Sequence, residues 1–350
     1  MGGYPVVASG FFHRSHGFLG EWGFAELPTA HPHQTVLRHT NLHRALYAAF
    51  PVRSDVVSVR RGARVTAMVP DYAEGVTEVS GVFEGRTSRA VGRIVVAADG
   101  AASALRRAAG IRCDDRYNYG HEYLMPMCSR PDVPELEHRT MRFVGTEGLT
   151  MIIPLDGGTQ VRVPFQIPVA EEAHWKSLTP QQLWRRMVAR APVLEAAPGL
   201  LEGGVHSYRI HLRHAERYVA GRLCLVGEAA HVVPPTVAQG MNMAMLDADV
   251  LAAVIRRSLD DLGPGEGLGQ GLELYDRLRR PANEAVLTAS HEQTLAQAAT
   301  GPSVDENLLA DYAWLADPAR CSEVATRVSG VDSVTVQRLG ILDNVPEPRS

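Results

Sequence analysis

The 350-residue sequence lacks the features of several broad classes of protein. It has 35 basic and 39 acidic residues, and without a basic excess we expect neither nucleic acid nor a membrane surface as partner. The longest apolar runs, such as IVVAA at 94–98, are far too short to cross a bilayer, and no secretory signal is recognisable. The default expectation is a cytoplasmic protein that acts on a small molecule, with an oligomeric state that the sequence leaves open.

Cysteine and histidine are too scattered to predict a metal site or a disulfide framework. The four cysteines form no Cys-x-x-Cys pair, which fits a reducing compartment. His31 and His33 lie in a proline-flanked predicted loop, and His211 and His214 have no acidic or thiol cluster near them in the sequence. No Gly-x-Ser-x-Gly segment occurs, so an α/β-hydrolase would lack its nucleophile. We therefore expect no bound metal.

Two strand–turn–helix units flank a stretch of mostly β-type sequence. Residues 93–110 predict a buried strand, an Asp-Gly turn and a helix that ends at Gly110. Residues 222–257 predict a strand, a proline-rich turn and a long helix, and residues 117–168 between the two units are rich in predicted strands. A nucleotide-binding layer interrupted by a sheet-containing domain would produce this order, and a generic α/β protein with two unrelated crossovers is the alternative.

Other elements follow from periodicity and turn residues. Residues 38–49 carry leucine and alanine at helical spacing, and residues 178–192 predict a helix with Thr179 as its N-cap. The segments MIIPL and QVRVPF predict a hairpin around the Asp-Gly-Gly turn at 156–158. The glycine-rich residues 258–271 predict a surface loop, and two or three helices follow it.

The strongest segment is LCLVGEAAHVVPPTVAQGMNMAMLDADVLAAVI at 223–255. Its strand ends at Gly227, and Glu228 follows at the edge where a carboxylate can accept hydrogen bonds from a ribityl or ribose hydroxyl. The helix is predicted to begin near Met241, and its N–H groups and dipole suit a phosphate or the negative charge of a reduced flavin. The alternative is a plain crossover whose prolines only stiffen a loop.

This segment resembles the GD motif of the para-hydroxybenzoate-hydroxylase-like flavin monooxygenases, GDAAHxxPPxxGQGxNxxxxDAxxL. Glu228 replaces the usual aspartate that binds the ribityl chain, and it keeps the charge on a longer side chain. Ala238 replaces the first glycine of GQG, which is harmless at negative φ and costly at positive φ. The matching residues are Gly227, Ala229, Ala230, His231, Pro234, Pro235, Gln239, Gly240, Asn242, Asp247 and Ala248.

The segment VVAADGAASALRRAAGI at 95–111 resembles the DG motif of the same family at Asp99, Gly100, Ser103 and Arg106. In the family this stretch lies near the flavin pyrophosphate and is linked to the nicotinamide cofactor. Taken alone the match is weak, because Asp-Gly is a common turn and Ser103 could be a simple helix cap. Its position ahead of the GD-like segment strengthens the resemblance.

Two shorter matches complete the comparison by motif. Arg38 stands where the family often has an arginine ahead of a helix that faces FAD, with an exposed surface arginine as the alternative. YDRLRRP at 275–281 resembles a Tyr-x-x-x-Arg-Arg-Pro segment that we interpret as structural. No catalytic residue is assigned, and His231 is interpreted as a structural hydrogen-bonding residue. The resemblance implies these cofactor-binding residues: Arg38, Asp99, Gly227, Glu228, Pro235, Gln239, Gly240, Met241 and Asn242.

The family normally opens with a strand, Gly-x-Gly-x-x-Gly and a helix, and no such unit is found. GPGEGLGQG at 263–271 does not fit the motif and is interpreted as a linker. The sequence is a piece of a longer protein, or the unit comes from a separate chain, or tight FAD binding has been lost. The first explanation is favoured, because removal of a central parallel strand would leave an unpaired edge and exposed apolar faces.

The resemblance implies an α/β fold with an N-terminally incomplete FAD-binding layer of the glutathione-reductase type. We expect residues 1–116 and 205–290 to form this layer and residues 117–204 to form an inserted mixed or antiparallel substrate-binding sheet. Residues 291–350 are expected to be helical.

The implied function is that of an FAD-dependent monooxygenase that uses NAD(P)H and O2 on an aromatic or polyketide-like molecule. A flavin-free or weakly flavin-binding descendant that acts as a non-redox cyclase or partner subunit is the alternative. Strand alternation in the inserted sheet predicts a substrate pocket lined by Tyr123, Met125, Met127 and Phe165.

Overall fold

A computed structural model of the protein describes residues 2–27, 29–49, 56–73, 75–200, 205–262 and 267–329. The described residues form two compact units. The first unit contains those of 1–52, 119–210 and 292–331, and the second contains those of 53–118 and 211–291.

The strands and helices have well-defined bounds in both units. The strands are β1 Tyr4–Val6, β2 Ala8–His13, β3 Gly17–Gly23, β4 Gln34–Val36, β5 Arg64–Ala73, β6 Val76–Phe83, β7 Arg86–Gly92, β8 Val95–Ala97, β9 His121–Met125, β10 Met127–Ser129, β11 Arg139–Phe143, β12 Thr150–Leu155, β13 Gln160–Arg162, β14 Phe165–Pro168, β15 His206–Arg209, β16 Arg213–His214, β17 Val219–Ala220, β18 Leu223–Leu225 and β19 His231–Val232. The α-helices are α1 His39–Ala49, α2 Ala104–Ala108, α3 Glu172–Ser177, α4 Pro180–Arg190, α5 Gly240–Leu262, α6 Gly267–Gln297, α7 Pro302–Asp311 and α8 Pro318–Ser329.

The first unit is built on a large mixed sheet with the strand order β15-β9-β14-β12-β11-β2-β3. Its paired strands run antiparallel except β2 and β11, which are parallel and in register from Ala8 opposite Arg139 to Phe12 opposite Phe143. The predicted mixed sheet is therefore confirmed. Because β2 pairs directly with β11, the described residues before 53 belong to the same unit as this sheet, which differs from the expected grouping of residues 1–116 with the FAD-binding layer.

One face of the large sheet packs against α3 and α4. Leu124 lies opposite Phe165 in the antiparallel pair β9–β14, and both are buried on this face with Trp175 and Met187 of the helices. Tyr123 precedes Leu124 and so points to the opposite face. The predicted pocket lining was therefore wrong as a set, because Tyr123 and Phe165 lie on different faces of the sheet.

Local signals predicted the helix and the hairpin of this unit well. Thr179 caps α4: its hydroxyl accepts the N–H of Gln182, and the Gln182 side chain accepts the N–H of Thr179, which is a capping box. Strands β12 and β13 form the predicted antiparallel hairpin, and its turn contains Gly157 at φ 66°. Both predictions are confirmed.

The second unit contains the short sheet β17-β18-β8 and the antiparallel sheet β5-β6-β7, together with α2, α5 and the part of α6 up to His291. Its core packs β18 against the two long helices through a cluster of fully or nearly fully buried side chains. Members of this cluster are Leu223, Leu225, Val250, Val254, Leu272 and Tyr275. Burial of these residues is the main stabilising term for the strand–turn–helix segment around them.

The predicted surface loop at 258–271 was largely wrong. Helix α5 continues to Leu262 and α6 begins at Gly267, while residues 263–266 lie outside the described residues. Leu268 is fully buried, and a Cβ atom added to Gly271 would lie 2.0 Å from Oγ of Ser258 on α5. Tertiary packing therefore overrides the poor helix propensity of glycine here. In the described part of the chain, no helix is long and apolar enough to span a membrane.

Candidate cofactor site

The second unit holds a parallel pair of strands, β8 and β18. Val95 pairs with Leu223 and Ala97 with Leu225, so the carboxyl ends of both strands lie at the same edge. Asp99 follows β8 and Glu228 follows β18, and both side chains are exposed. Among the described residues, β8 has no strand on its other side, and its central residue Val96 is exposed. An acidic residue after each of two parallel strands is typical of sites for ribose or ribityl hydroxyls.

The DG-like segment forms a capped turn. The carboxylate of Asp99 accepts hydrogen bonds from the N–H groups of Ala104 at 2.8 Å and Leu105 at 3.2 Å. The hydroxyl of Ser103 accepts the N–H of Arg106 at 3.0 Å, so Ser103 is the N-cap of α2. The cap interpretation of Ser103 is confirmed. Asp99 satisfies two further N–H groups of the same helix terminus.

Arg106 connects the DG-like segment to the GD-like segment. Its guanidinium is buried and donates to the carbonyl oxygen of Ala229 at 2.8 Å and to that of Ala101 at 2.9 Å. Ala229 belongs to the turn that contains Glu228. The sequence marked Arg106 as a motif match but predicted no role for it. The structure shows that it holds the two turns together.

The turn after β18 requires a glycine. Gly227 has φ 59°, and a Cβ atom added to it would lie 3.0 Å from Cβ of Ala244 on α5. This contact brings the turn against α5 and leaves Glu228 exposed at its tip. Gly227 thus has a structural reason for its identity, and Glu228 is the residue of this turn that can reach a ligand.

A buried hydrogen-bond network around Asp247 holds the turn at Gly227–Ala229 in place. Asp247 accepts hydrogen bonds from the N–H of Gly227 at 3.1 Å, His231 Nε2 at 2.7 Å, Arg279 Nε at 2.9 Å and Asn283 Nδ2 at 2.9 Å. Burial alone would raise the pKa of Asp247, but the hydrogen bond from His231 and the charges around it hold that pKa below its usual value. The carboxylate is therefore ionised and fully satisfied.

The network extends through Tyr218 to His214. The Tyr218 hydroxyl accepts from Asn283 at 3.1 Å and lies 2.7 Å from His214 Nε2, while His214 Nδ1 lies 2.6 Å from Glu284. Burial lowers the pKa of His214 to about 4, although Glu284 acts in the opposite direction. Asn283 was missed in the sequence, but its spacing of four from Arg279 places both on one face of α6.

The Tyr-Asp-Arg-Leu-Arg-Arg-Pro segment at 275–281 has a structural role, as predicted from the sequence. The hydroxyl of Tyr275 donates to the carbonyl oxygen of Leu225 at 2.8 Å, Arg279 binds Asp247, and Arg280 donates to the carbonyl oxygen of Ala215 at 3.2 Å. These contacts fix α6 against β18.

The turn before α5 contains the alanine that departs from the family pattern. Ala238 has φ 56° and ψ 31°, which is the left-handed region that a glycine adopts more easily. Gln239 is buried, and its side-chain oxygen accepts a hydrogen bond from Asn242 at 3.0 Å. Ala238 therefore adopts the positive φ that is energetically costly for alanine.

Helix α5 begins at Gly240, one residue before the predicted start. The first N–H groups of a helix have no carbonyl partner within the helix, so this end is electropositive. Met243 is 2% exposed and fills the core, whereas Met241 and Met245 are 36% and 42% exposed. The two exposed methionines are four residues apart and share one face, so core filling explains only Met243.

Arg38 lies in the first unit, directly before α1. Its Nε atom donates to both carboxylate oxygens of Asp156, at 2.8 and 2.6 Å, and its Nη2 atom donates to Gln160 at 2.6 Å. The side chain is partly buried in this ion pair, so it is not the exposed surface arginine of the alternative.

The described residues contain no cluster of three or more His, Cys, Asp or Glu side chains that could hold a metal ion. His211 lies 3.0 Å from Asp115, and His214 contacts Tyr218 and Glu284, so each belongs to a hydrogen-bonded pair or network.

The second unit therefore has an α/β fold. Its two strand–turn–helix segments are arranged as in sites that bind nucleotide cofactors. The chain belongs to the FAD binding domain family, whose model matches residues 8–290. The residues present fit FAD in their chemistry: Glu228 offers an exposed carboxylate for hydroxyl groups, and α5 offers N–H groups for a negative charge.

Two curated relatives are named as a hydroxylase and a monooxygenase. The chain is 32% identical over 239 residues to "Ubiquinone hydroxylase UbiL" of Rhodospirillum rubrum, a match that covers 64% of this chain and 50% of that protein. It is 29% identical over 317 residues to "Rifampicin monooxygenase" of Streptomyces venezuelae, covering 88% and 61%. The chain thus spans about half the length of the first relative and about three fifths of the second.

Solved structures share the fold. p-Nitrophenol 4-monooxygenase PnpA from Pseudomonas putida superposes with a TM-score of 0.76 at 17% identity, covering 94% of this chain and 82% of that one. HpxO of Klebsiella pneumoniae, solved with FAD and uric acid, gives a TM-score of 0.74 at 21% identity and covers 94% and 81%. At these identities the likeness establishes the fold alone.

Proposed function

We propose that this chain is the body of an FAD-dependent monooxygenase that uses NAD(P)H and O2 to oxygenate an aromatic or polyketide-like small molecule. One observation carries the proposal: Arg106 binds Ala229 beside the parallel pair β8–β18, which brings the turns of Asp99 and Glu228 to one edge. The names of the curated relatives support an oxygenation reaction.

FAD, when bound, supplies the redox chemistry: NAD(P)H provides two electrons, one oxygen atom of O2 enters the substrate and the other leaves as water. The protein contributes binding, orientation and electrostatics. In this proposal Glu228 accepts hydrogen bonds from ribityl hydroxyls, and the electropositive start of α5 stabilises negative charge on the reduced cofactor. Asp99 holds the turn at α2 through its two N–H contacts.

The remaining proposed contacts follow the motif. Gln239 is fixed by Asn242, which positions the backbone of the turn before α5. Arg38 remains in the proposed set because of its place in the motif order, and within the first unit its guanidinium is bound to Asp156. The full proposed set of cofactor-binding residues is Arg38, Asp99, Gly227, Glu228, Pro235, Gln239, Gly240, Met241 and Asn242.

Titration of the purified protein with FAD, followed by flavin absorbance and calorimetry, tests the proposal. Glu228→Ala should weaken FAD binding roughly five- to 150-fold, the equivalent of about 1–3 kcal/mol for the loss of a hydrogen bond that a ribityl hydroxyl donates to the charged carboxylate. Glu228→Asp should retain binding within a few-fold, since it keeps the carboxylate. Glu273→Ala, which removes an exposed glutamate of α6, should bind like the parent.

Two outcomes would contradict the proposal. If Glu228→Ala binds FAD like the parent, the ribityl assignment is wrong. If the protein retains no flavin absorbance after equilibration with excess FAD and removal of the unbound flavin, also when residues encoded upstream of Met1 are included, the flavin-free alternative, a non-redox cyclase or partner subunit, takes its place.

A further inference from the structure

The first unit contains a groove of about 900 Å³ that the proposed cofactor residues do not use. It lies on the face of the large sheet that α3 and α4 cover, beside the hairpin of β2 and β3. Phe12 of β2 points into it, whereas the preceding Phe11 points to the opposite face and contacts Trp22 and Tyr312. The volume is within the range of pockets for small organic molecules.

Three phenyl rings form one wall of the groove. The ring of Phe12 lies 5.3 Å from that of Phe18 and 5.3 Å from that of Phe143, and it is nearly parallel to the latter at 25°. Phe18 is 57% exposed although it borders this concave apolar surface. Val133 and Val193 belong to the lining as well. A flat aromatic molecule would bury the exposed face of Phe18 and stack on its neighbours.

Charged residues border the groove at its two ends. Glu21 and Arg139 neutralise each other, with Arg139 Nε 2.8 Å from the Glu21 carboxylate, and the hydrogen bond to Glu21 raises the pKa of Arg139. Glu135 is exposed near this end, in the short 3-10 turn that precedes β11. Arg14 lies beyond the end of β2 and is exposed. In the described part of the chain it has no hydrogen bond or ion pair.

Strand geometry separates these two ends. Arg139 and Phe143 are four residues apart on β11, which corresponds to about 13 Å along an extended strand. The groove therefore has an apolar aromatic middle and a neutralised pair with an extra carboxylate at one end. At the other end lies the guanidinium of Arg14, which forms no ion pair with a described residue, while the nearest acidic residue of the adjoining pocket, Glu147, is paired with Arg190. This arrangement favours a ligand with a single negative charge at one end and disfavours one with a charge at each end.

We propose that this groove binds an elongated aromatic molecule that carries one acidic group. Its rings lie against Phe12 and Phe18, and its acidic group lies at Arg14. None of the lining residues belongs to the segments proposed to bind FAD, so this site and the cofactor proposal can fail independently.

Calorimetric titration of the FAD-equilibrated protein with biphenyl-4-carboxylate and with its neutral isostere biphenyl-4-carboxamide tests the proposal. We expect one carboxylate per chain, bound at least about fivefold more tightly than the carboxamide. Phe18→Ala should weaken both ligands at least about fivefold, because it removes an exposed ring and leaves the core intact. Arg14→Gln should abolish the preference for the carboxylate. Arg185→Gln, at an exposed arginine of α4 in the same unit, should change neither affinity.

Three results would overturn the proposal. The first is no binding of either biphenyl, and the second is unchanged binding of both by Phe18→Ala. The third is a sedimentation experiment in which the parent is a dimer and Phe18→Ala a monomer, which would make a second copy of the chain the occupant. Flavin absorbance recorded on the same samples keeps this result separate from that of the cofactor proposal.

Discussion

The Nε2 atom of His231 lies 2.7 Å from the Oδ2 atom of Asp247, and both side chains are buried. The other oxygen of Asp247 accepts from Arg279 and Asn283. These partners come from β19 and from α6, so one carboxylate of α5 joins three segments. The interpretation of His231 as a structural hydrogen-bonding residue agrees with this geometry.

Removal of the Asp247 carboxylate should be strongly destabilising. Asp247→Ala leaves the guanidinium of Arg279 buried without its ion pair, and such a change costs about 3–5 kcal/mol. Urea unfolding at neutral pH should measure this loss. Asp249→Ala, two residues away and exposed, should shift the free energy of unfolding by less than about 0.5 kcal/mol.

A second variant separates the ion pair from general damage to α5. Arg279→Met in the Asp247→Ala background removes the stranded charge, so it should recover part of the lost stability. If the double variant is no more stable than Asp247→Ala, the loss comes from another contact of Asp247, such as that with the N–H of Gly227.

Ala238→Gly should stabilise the protein. The left-handed conformation at φ 56° is strained for alanine, and relief of this strain exceeds the greater entropy of glycine in the unfolded chain, for a net gain of about 0.5–1 kcal/mol. Ala248→Gly is the matched control, because Ala248 is exposed and lies in helix α5. This change should lower the free energy of unfolding by about 1 kcal/mol. Thermal or urea unfolding that gives both changes the same sign would refute the strain at Ala238.

The two strand–turn–helix segments could be predicted because their signals are local. A buried strand, a glycine turn and a helix follow one another within each segment, and the order of the acids after the strands places Asp99 and Glu228 at one edge. The N-cap at Thr179 and the turn at Gly157 likewise depend on neighbouring residues alone.

Features that depend on distant contacts could not be predicted in this way. The parallel pairing of β2 with β11 joins residues far apart in the chain, and no local pattern reveals it. Helix α6 begins at Gly267, within a glycine-rich sequence, because Leu268 is buried and Gly271 packs against Ser258 of α5. The role of Arg106 was missed because its partner is the backbone of Ala229 rather than a charged side chain.

The close approach of α5 and α6 yields a prediction at Gly271. Gly271→Ala places a Cβ atom 2.0 Å from Oγ and 2.7 Å from Cβ of Ser258, so the helices must separate, at a cost of about 1–3 kcal/mol. Ser258→Gly in the same chain removes both clashing atoms and should restore part of the loss. Additive effects of the two changes in urea unfolding would show that the helices do not meet at this point.

The buried histidine of the second unit predicts a pH dependence of stability. Burial lowers the pKa of His214 to about 4, from an ordinary value near 6.5, and its side chain is inaccessible to solvent. Between these two values the unfolded chain binds a proton that the folded chain does not, so the free energy of unfolding falls as the pH falls. The contribution of His214 between pH 7 and pH 5 is about 2 kcal/mol.

His214→Gln retains polar groups but does not titrate, so it isolates this contribution. Its stability at pH 7 should be lower than that of the parent, because the hydrogen bonds to Tyr218 and Glu284 are altered. Its further loss on acidification to pH 5 should be smaller than the loss of the parent by about 2 kcal/mol. Urea unfolding of both proteins at pH 7 and pH 5 gives the loss of unfolding free energy for each, and the two losses are then compared. Equal losses in parent and variant would mean that His214 is not held neutral in the fold, and the hydrogen bond to Glu284 would then have to join a charged imidazolium to a carboxylate.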